Sequence, residues 1–209
     1  MISDKCKICR RTGQKLFLKG ERCLSAKCAM VKRAYPPGIE KKRKSGAPSE
    51  YKKALNEKQK LRRWYGLSEH QFKQYVKGIL IKRGRVPDLA EELIKKLEKR
   101  LDAVVFRLGL AKSRTQARQL VSHGYFLINN KSVNIPSFRV EVGDTIAIKE
   151  NKKKKGVFIE IIPQLKKKEI PSWLEIDKDK LVGKLKKEPL LAEIIPPAEI
   201  PVIFEFYSR

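Results

Sequence analysis

The sequence predicts an α+β protein in three parts: a metal-stapled N-terminal segment, a run of amphipathic helices, and helices packed on a small antiparallel sheet. Three observations predict it. Four cysteines fall in the pattern C-x2-C-x13-C-x4-C near the N-terminus, and no cysteine lies outside it. Apolar residues then recur at helical spacing from Ser49 to Val121. Between Phe126 and Ile148 the spacing changes to alternation broken by turn residues.

Charge narrows the function. Forty-nine Lys and Arg stand against 23 Asp and Glu, a formal net charge of +26 on 209 residues. Such a chain repels itself unless a polyanion neutralises it. The positive charge runs almost the whole length, which favours a long polyphosphate over an anionic membrane surface. There is no run of about 18 apolar residues, so no transmembrane helix is expected. The opening MISDKCKICR lacks the apolar stretch of a secretory signal, and a cytosolic protein is expected. In that compartment cysteines serve as metal ligands more often than as disulfides.

The first part carries Cys6, Cys9, Cys23 and Cys28. A C-x2-C pair turns two thiolates toward one cation, and a second pair closes a tetrahedron. One structural zinc ion is the expected cofactor; an iron–sulfur cluster, which four thiolates also hold, is the alternative. The intervening KLFLKGERC reads as a hairpin-like turn around Gly20, and Ser25 reads as the cap of a short helix carrying Cys28. Residues 32–49 are a loop punctuated by Pro36, Pro37, Gly38, Gly46 and Pro48. Its run Lys41, Lys42, Arg43 and Lys44 is a candidate phosphate grip that would order on RNA.

In the second part Ser49 caps a helix reaching Tyr65 and ended by Gly66. Its flanks carry Lys58, Arg62 and Arg63, while Trp64 and Tyr65 suit helix packing better than base stacking. Ser68 with Gln71 forms a capping box for a second helix, with Phe72, Tyr75, Val76 and Ile79 inward and Gly84 at its end. Asp88 with Glu91 starts a third, whose apolar side is Leu89, Leu93, Ile94 and Leu97. The same spacing continues through Leu101, Val104, Val105 and Leu108, with a bend near Arg100 and an end at Gly109.

The third part opens with a further capping box, Ser113 with Gln116, and Ala117, Leu120 and Val121 facing inward. Arg114 and Arg118 lie one turn apart, on a face from which they can grip phosphates. His123 sits in the last turn and Gly124 caps it. Phe126 and Ile128 alternate, Asn129-Asn130 is a type I′ turn, and Val133 and Ile135 form the return strand. Phe138, Val140 and Val142 alternate again, Gly143-Asp144 turns, and Ile146 and Ile148 finish.

The words RLDAVVFRLGLAKSRTQARQLVSHGYFLINNKSVNIPSF and VGDTI closely resemble the RNA-binding domain of the bacterial small ribosomal subunit protein S-four family. The resemblance extends to Cys6–Arg11, Leu18–Cys28, Lys58–Tyr75 and Glu205–Arg209, in the family's order and over nearly the whole chain. It implies a primary binder of small-subunit ribosomal RNA at a multi-helix junction of the 5′ region, which nucleates subunit assembly. It also implies contact with protein S-five that influences translational accuracy, a position where mRNA enters, and, in some bacteria, translational repression of the protein's own operon. Three domains follow: 1–47, the metal-binding segment and basic linker; 48–98, a helical domain completed by 190–209; and 99–189, an inserted RNA-binding domain with core motif 101–148. By the resemblance VFIEIIPQL and IPVIFEFYSR are helices, although their β-branched composition reads locally as strand. Asn129-Asn130 stands for the family's Asn-Gly, Ala103 for an Asn, and Lys152–Lys155 for a more mixed sequence.

The expected RNA contacts are Arg10, Arg11, Lys41, Lys42, Arg43, Lys44, Lys58, Arg62, Arg63, Lys112, Arg114, Arg118, His123 and Lys131. No membrane partner and no small-molecule substrate is expected. Two other classes compete. An RNA-modifying enzyme can carry the same small domain, but it needs a positioned acid, base or nucleophile. Here there are only two histidines, His70 and His123, and all cysteines sit in one tetrad, so no enzyme is expected. A zinc-containing DNA-binding regulator fits the cysteine spacing but not the whole-chain resemblance.

Overall fold

The computed structural model describes residues 4–38, 47–167 and 169–208, without the side chains of 164, 166 and 167. The expected Lys41–Lys44 grip therefore lies outside the described residues. The chain forms two compact units, one running to Pro87 and resuming at Pro196, the other spanning Asp88–Ile195.

In the first unit α1 (Lys5–Thr12), α2 (Glu21–Leu24) and α3 (Ala29–Lys32) carry the cysteines. Asp4 caps α1 through the Cys6 amide. Ser25 does not start the helix after Cys28; it ends α2, and its hydroxyl accepts from the Lys27 amide. Cys28 itself occupies the first cap of α3. Next come α4 (Glu50–Trp64), capped by Ser49 and followed by Gly66 at φ 66°, and α5 (Glu69–Leu80), capped by Ser68. The Ser68 box is half-formed: the hydroxyl accepts from the Gln71 amide, but Gln71 Oε1 is buried with no hydrogen-bond partner. Tyr65 is buried against the helices, as a packing role requires.

The second unit begins with α6 (Leu89–Glu98), which sequence alone groups with the preceding helices. α7 (Leu101–Arg107) and α8 (Arg114–Ser122) follow, then β1 (Phe126–Ile128), β2 (Lys131–Val133) and β3 (Thr145–Ile148). α9 (Glu150–Lys153) and α10 (Gly156–Lys167) lead to β4 (Leu174–Asp177), β5 (Val182–Leu185) and α11 (Leu191–Ile194). The sheet is antiparallel throughout, in the order β2-β1-β3-β5-β4. Phe126 opposite Ile148 and Ile128 opposite Ile146 put four apolar side chains on the face that meets the helices. Asn129 and Asn130 both hold positive φ, 47° and 66°, as a type I′ turn needs. The Asn129 side chain also accepts from the Thr145 amide and donates to Asp144, tying the hairpin to the next turn.

One expected strand is missing. Phe138, Val140 and Val142 form no ladder; only Val140 is buried. This segment's backbone instead meets the break between α6 and α7. Leu101 donates to the Phe138 carbonyl, Asp102 to Pro136, and Val140 to Lys99, with Arg100 and Arg139 bridged. Arg100 is thereby held extended at ψ 141°, and the bend expected there becomes a full interruption of the helix.

α10 is helical despite its strand-like composition. Phe158, Ile161 and Leu165 are buried at helical spacing, while Pro163 and Ile159, the residue whose carbonyl loses its partner, are not. In the first unit α12 (Ile200–Ser208) packs on α4 and α5 through Ile203 and Phe204, with Pro201 in its first turn. Burial outweighs β-propensity in both.

Candidate nucleic-acid interface

The cysteine segment comes first in the chain. Cys9, Cys23 and Cys28 are buried, Cys6 is half-buried, and all four are unbridged. The α1 helix sets Cys6 and Cys9 one turn apart, and the Lys19 amide points at Cys23 Sγ at 3.4 Å. Burial pushes the Cys9 thiol up; a backbone hydrogen bond at Leu16 opposes this, and the neighbouring Cys23, Cys28 and Cys6 push it further. The Cys9 thiol thus resists ionising, a resistance that a bound cation would reverse. Donor type suits a soft metal ion. Even so, no group of three or more His, Cys, Asp or Glu side chains among the described residues is gathered as a metal centre.

Around this segment the expected basic residues divide. Arg10 donates to the Tyr35 carbonyl at 2.9 Å and lies 4.9 Å over its ring, so it fastens the end of the segment. Arg11 is exposed. Burial, and then the charges of Arg62 and Arg11, hold Arg63 below the ordinary arginine value. Three guanidinium groups from α1 and α4 therefore converge, a repulsion that a phosphate would relieve. Lys58 is different: it is buried, pairs with Glu69 at 2.7 Å and faces the Phe206 ring at 4.8 Å. It joins α4 to α5 and α12. Arg62 leans on Gln59, 2.7 Å from its Oε1, and on Glu69 at 3.5 Å.

In the second unit the pair Arg114 and Arg118 does not present one open face. Arg114 turns inward to Glu98 at 2.9 Å and covers the Phe106 ring at 5.0 Å. Glu98 is fully buried, and Arg107 grips both its oxygens at 2.9 and 3.0 Å. Burial alone would raise the Glu98 pKa, but the Arg114 and Arg107 charges win and bring it down to about 2. Lys112 pairs with Glu160 at 2.8 Å. The expected Ser113 box is displaced by one residue: Ser113 Oγ accepts from the Gln116 amide, while Gln116 Oε1 accepts from Lys112 rather than Ser113. Arg118 is half-buried on α8, and His123 and Lys131 are exposed, His123 closing α8 and Lys131 on the edge strand β2.

Sequence reasoning missed Glu98 and Arg107. Their link spans nine residues and the one to Arg114 sixteen, beyond the spacing of any helical pair, so only the fold unites them.

Two family profiles match the chain. The "Ribosomal protein S4/S9 N-terminal domain" covers residues 1–99, and the "S4 domain" covers 99–146. Their border falls at the break between α6 and α7. Among curated proteins, the small ribosomal subunit protein uS4 of Caldicellulosiruptor saccharolyticus is 47% identical over 208 residues, 100% of this chain and 98% of the relative. That of Syntrophus aciditrophicus is 44% identical over 204 residues, 98% of this chain and 96% of the relative. That of Thermus thermophilus is 43% identical over 208 residues, 100% of this chain and 98% of the relative.

Proposed function

Because the chain belongs to the ribosomal protein S4 family, we propose that it works in the cytoplasm as a non-enzymatic, structural RNA-binding constituent of the small ribosomal subunit. It binds small-subunit ribosomal RNA at a multi-helix junction of the 5′ region and so nucleates assembly. The observation that carries the reading is the match to relatives named small ribosomal subunit proteins over nearly their full length. The convergence of Arg11, Arg62 and Arg63 supports it, since crowded cations on a +26 chain invite phosphate. Specificity then comes from the shape of the junction more than from base edges.

Contact with protein S-five, a place where mRNA enters, and repression of its own operon belong to the same reading. So does a structural zinc ion held by Cys6, Cys9, Cys23 and Cys28. The ion would bind these thiols as thiolates and staple a segment too small to fold unaided.

The test is binding of the purified chain to a transcript of the 5′ region and to duplex DNA at about 200 mM salt, where nonspecific phosphate contacts fade. Preference for the transcript is expected; preference for duplex DNA would favour the regulator. Elemental analysis after anaerobic purification should find one zinc per chain. Iron with inorganic sulfide would replace zinc, and a metal-free chain with an ordered N-terminus would remove the staple.

A further inference from the structure

The second unit carries a dense cluster of cations that the expected contacts leave out. Residues 149–155 contain five lysines and one glutamate. They fold as the N-cap, body and C-cap of α9 and the turn that follows, directly after β3. The Lys149 amide donates to the Tyr125 carbonyl at 3.0 Å, so the turn is anchored against the start of β1. Lys152 Nζ lies 5.3 Å from the centre of the Tyr125 ring, and that ring is backed by Phe158 at 5.9 Å. Lys149 Nζ hangs over Gly124, 3.7 Å from where a side chain would begin, next to the exposed His123.

The only carboxylate in the stretch, Glu150, takes Lys153 at 2.6 Å. Among the described residues Lys149, Lys152, Lys154 and Lys155 have no carboxylate within ion-pair distance. This contrasts with Arg114 and Lys112, whose charges go to Glu98 and Glu160. The C-terminal end of α8 accounts for one cation, Lys149, through the partial negative charge of its carbonyls. It does not account for the other three. Charges held together without counter-charge on an ordered turn cost stability unless a ligand neutralises them.

We propose that this lysine turn, set beside Tyr125 and His123, is a second phosphate grip of the unit and takes the sugar–phosphate backbone of RNA. The inference rests on the RNA-binding reading and extends it to residues outside the expected contacts. A grip of this kind positions the RNA without reading its bases.

The test uses the full chain and a transcript of the 5′ region of small-subunit ribosomal RNA. Lys152→Gln, Lys154→Gln and Lys155→Gln are combined, and the affinity is measured across salt concentrations. The control combines Lys184→Gln, Lys186→Gln and Lys187→Gln, with the same charge change toward the other end of β5, where Leu185 meets Asp144. The slope of log affinity against log salt should fall by about one per lysine in the first variant, and affinity at least about tenfold. The control should move it much less, and thermal unfolding should match in both. A slope unchanged, or reduced equally in both variants, overturns the grip while leaving RNA binding intact. Failure of the unaltered chain to bind the transcript overturns the underlying reading instead.

Discussion

Replacing Glu98 by Gln keeps the shape of a fully buried side chain and removes its charge. Arg107 and Arg114 then face each other without an anion. The size of the effect follows from the carboxyl's own titration. Its pKa stands at about 2 in the folded chain against 4.5 for an ordinary glutamate, and each unit is worth about 1.4 kcal/mol. The charged form is therefore favoured by about 3 kcal/mol, in the range found when one partner of a buried pair is removed. The folded pKa is depressed, so this stability is present above pH 4.5 and is lost as the pH falls toward 2. Urea unfolding in a Trp64→Phe background would report it, because Trp173, one of two tryptophans, is buried in the same unit as Glu98. The variant should lose about 3 kcal/mol at pH 7 with an unchanged denaturant slope, and the gap should close as the pH approaches 2. A gap under about 1 kcal/mol at pH 7, or one that does not change with pH, would refute the assignment of Glu98 as the anionic centre of the cluster.

Four further outcomes follow from the same structure. Gly183→Ala places a methyl 2.4 Å from Leu108 Cδ1 and should cost about 1–3 kcal/mol, with Leu108→Ala in the same chain recovering part of it; calorimetry of the three variants decides. Ile195 is 80% exposed, sits at φ 38° and precedes Pro196, so Ile195→Asn should raise stability by about 1 kcal/mol, measured by thermal melting. Lys58→Ala should weaken folding by about 1–2 kcal/mol, because Glu69 is partly exposed and water replaces some of the lost pairing; an effect confined to RNA affinity would contradict the packing role. Arg114→Ala should destabilise the fold and leave the salt dependence of RNA binding unaltered, whereas Lys131→Ala, exposed on the edge strand, should lower that slope by about one.

What could be read ahead of the structure was local. Ser49, Ser68, Asp88 and Ser113 announce helix starts because a short oxygen-bearing side chain satisfies an amide within three residues. Asn129-Asn130 announces its hairpin because few residues accept two positive φ values in succession. Alternation at Phe138, Val140 and Val142 misleads, since period two describes any extended backbone, paired in a ladder or pinned to a helix break. The two C-terminal helices have the composition of strands; the family likeness points to helix for both, and Pro201 fits a first helical turn in the last. What stabilises them is an apolar surface supplied by distant segments, α4 and α5 for one and the sheet core for the other.

The same distinction governs the charges. A sequence counts Arg114, Lys58 and Lys154 alike as cations on amphipathic helices or turns. The fold separates them by whether a carboxylate from elsewhere reaches them. Glu98 and Glu69 reach the first two, over sixteen and eleven residues. No carboxylate among the described residues reaches Lys154. Since a paired, buried cation stabilises the fold and an unpaired, exposed one repels its neighbours, the residues open to phosphate are those the acids leave alone. By that criterion, among the described residues, the cations left without an acid include Arg11, Arg63, Lys131 and Lys149, Lys152, Lys154 and Lys155 of the lysine turn, and not Arg114 or Lys58. The basic character that drew attention to α8 serves, at Arg114, to hold α6, α7 and α8 together through one buried glutamate.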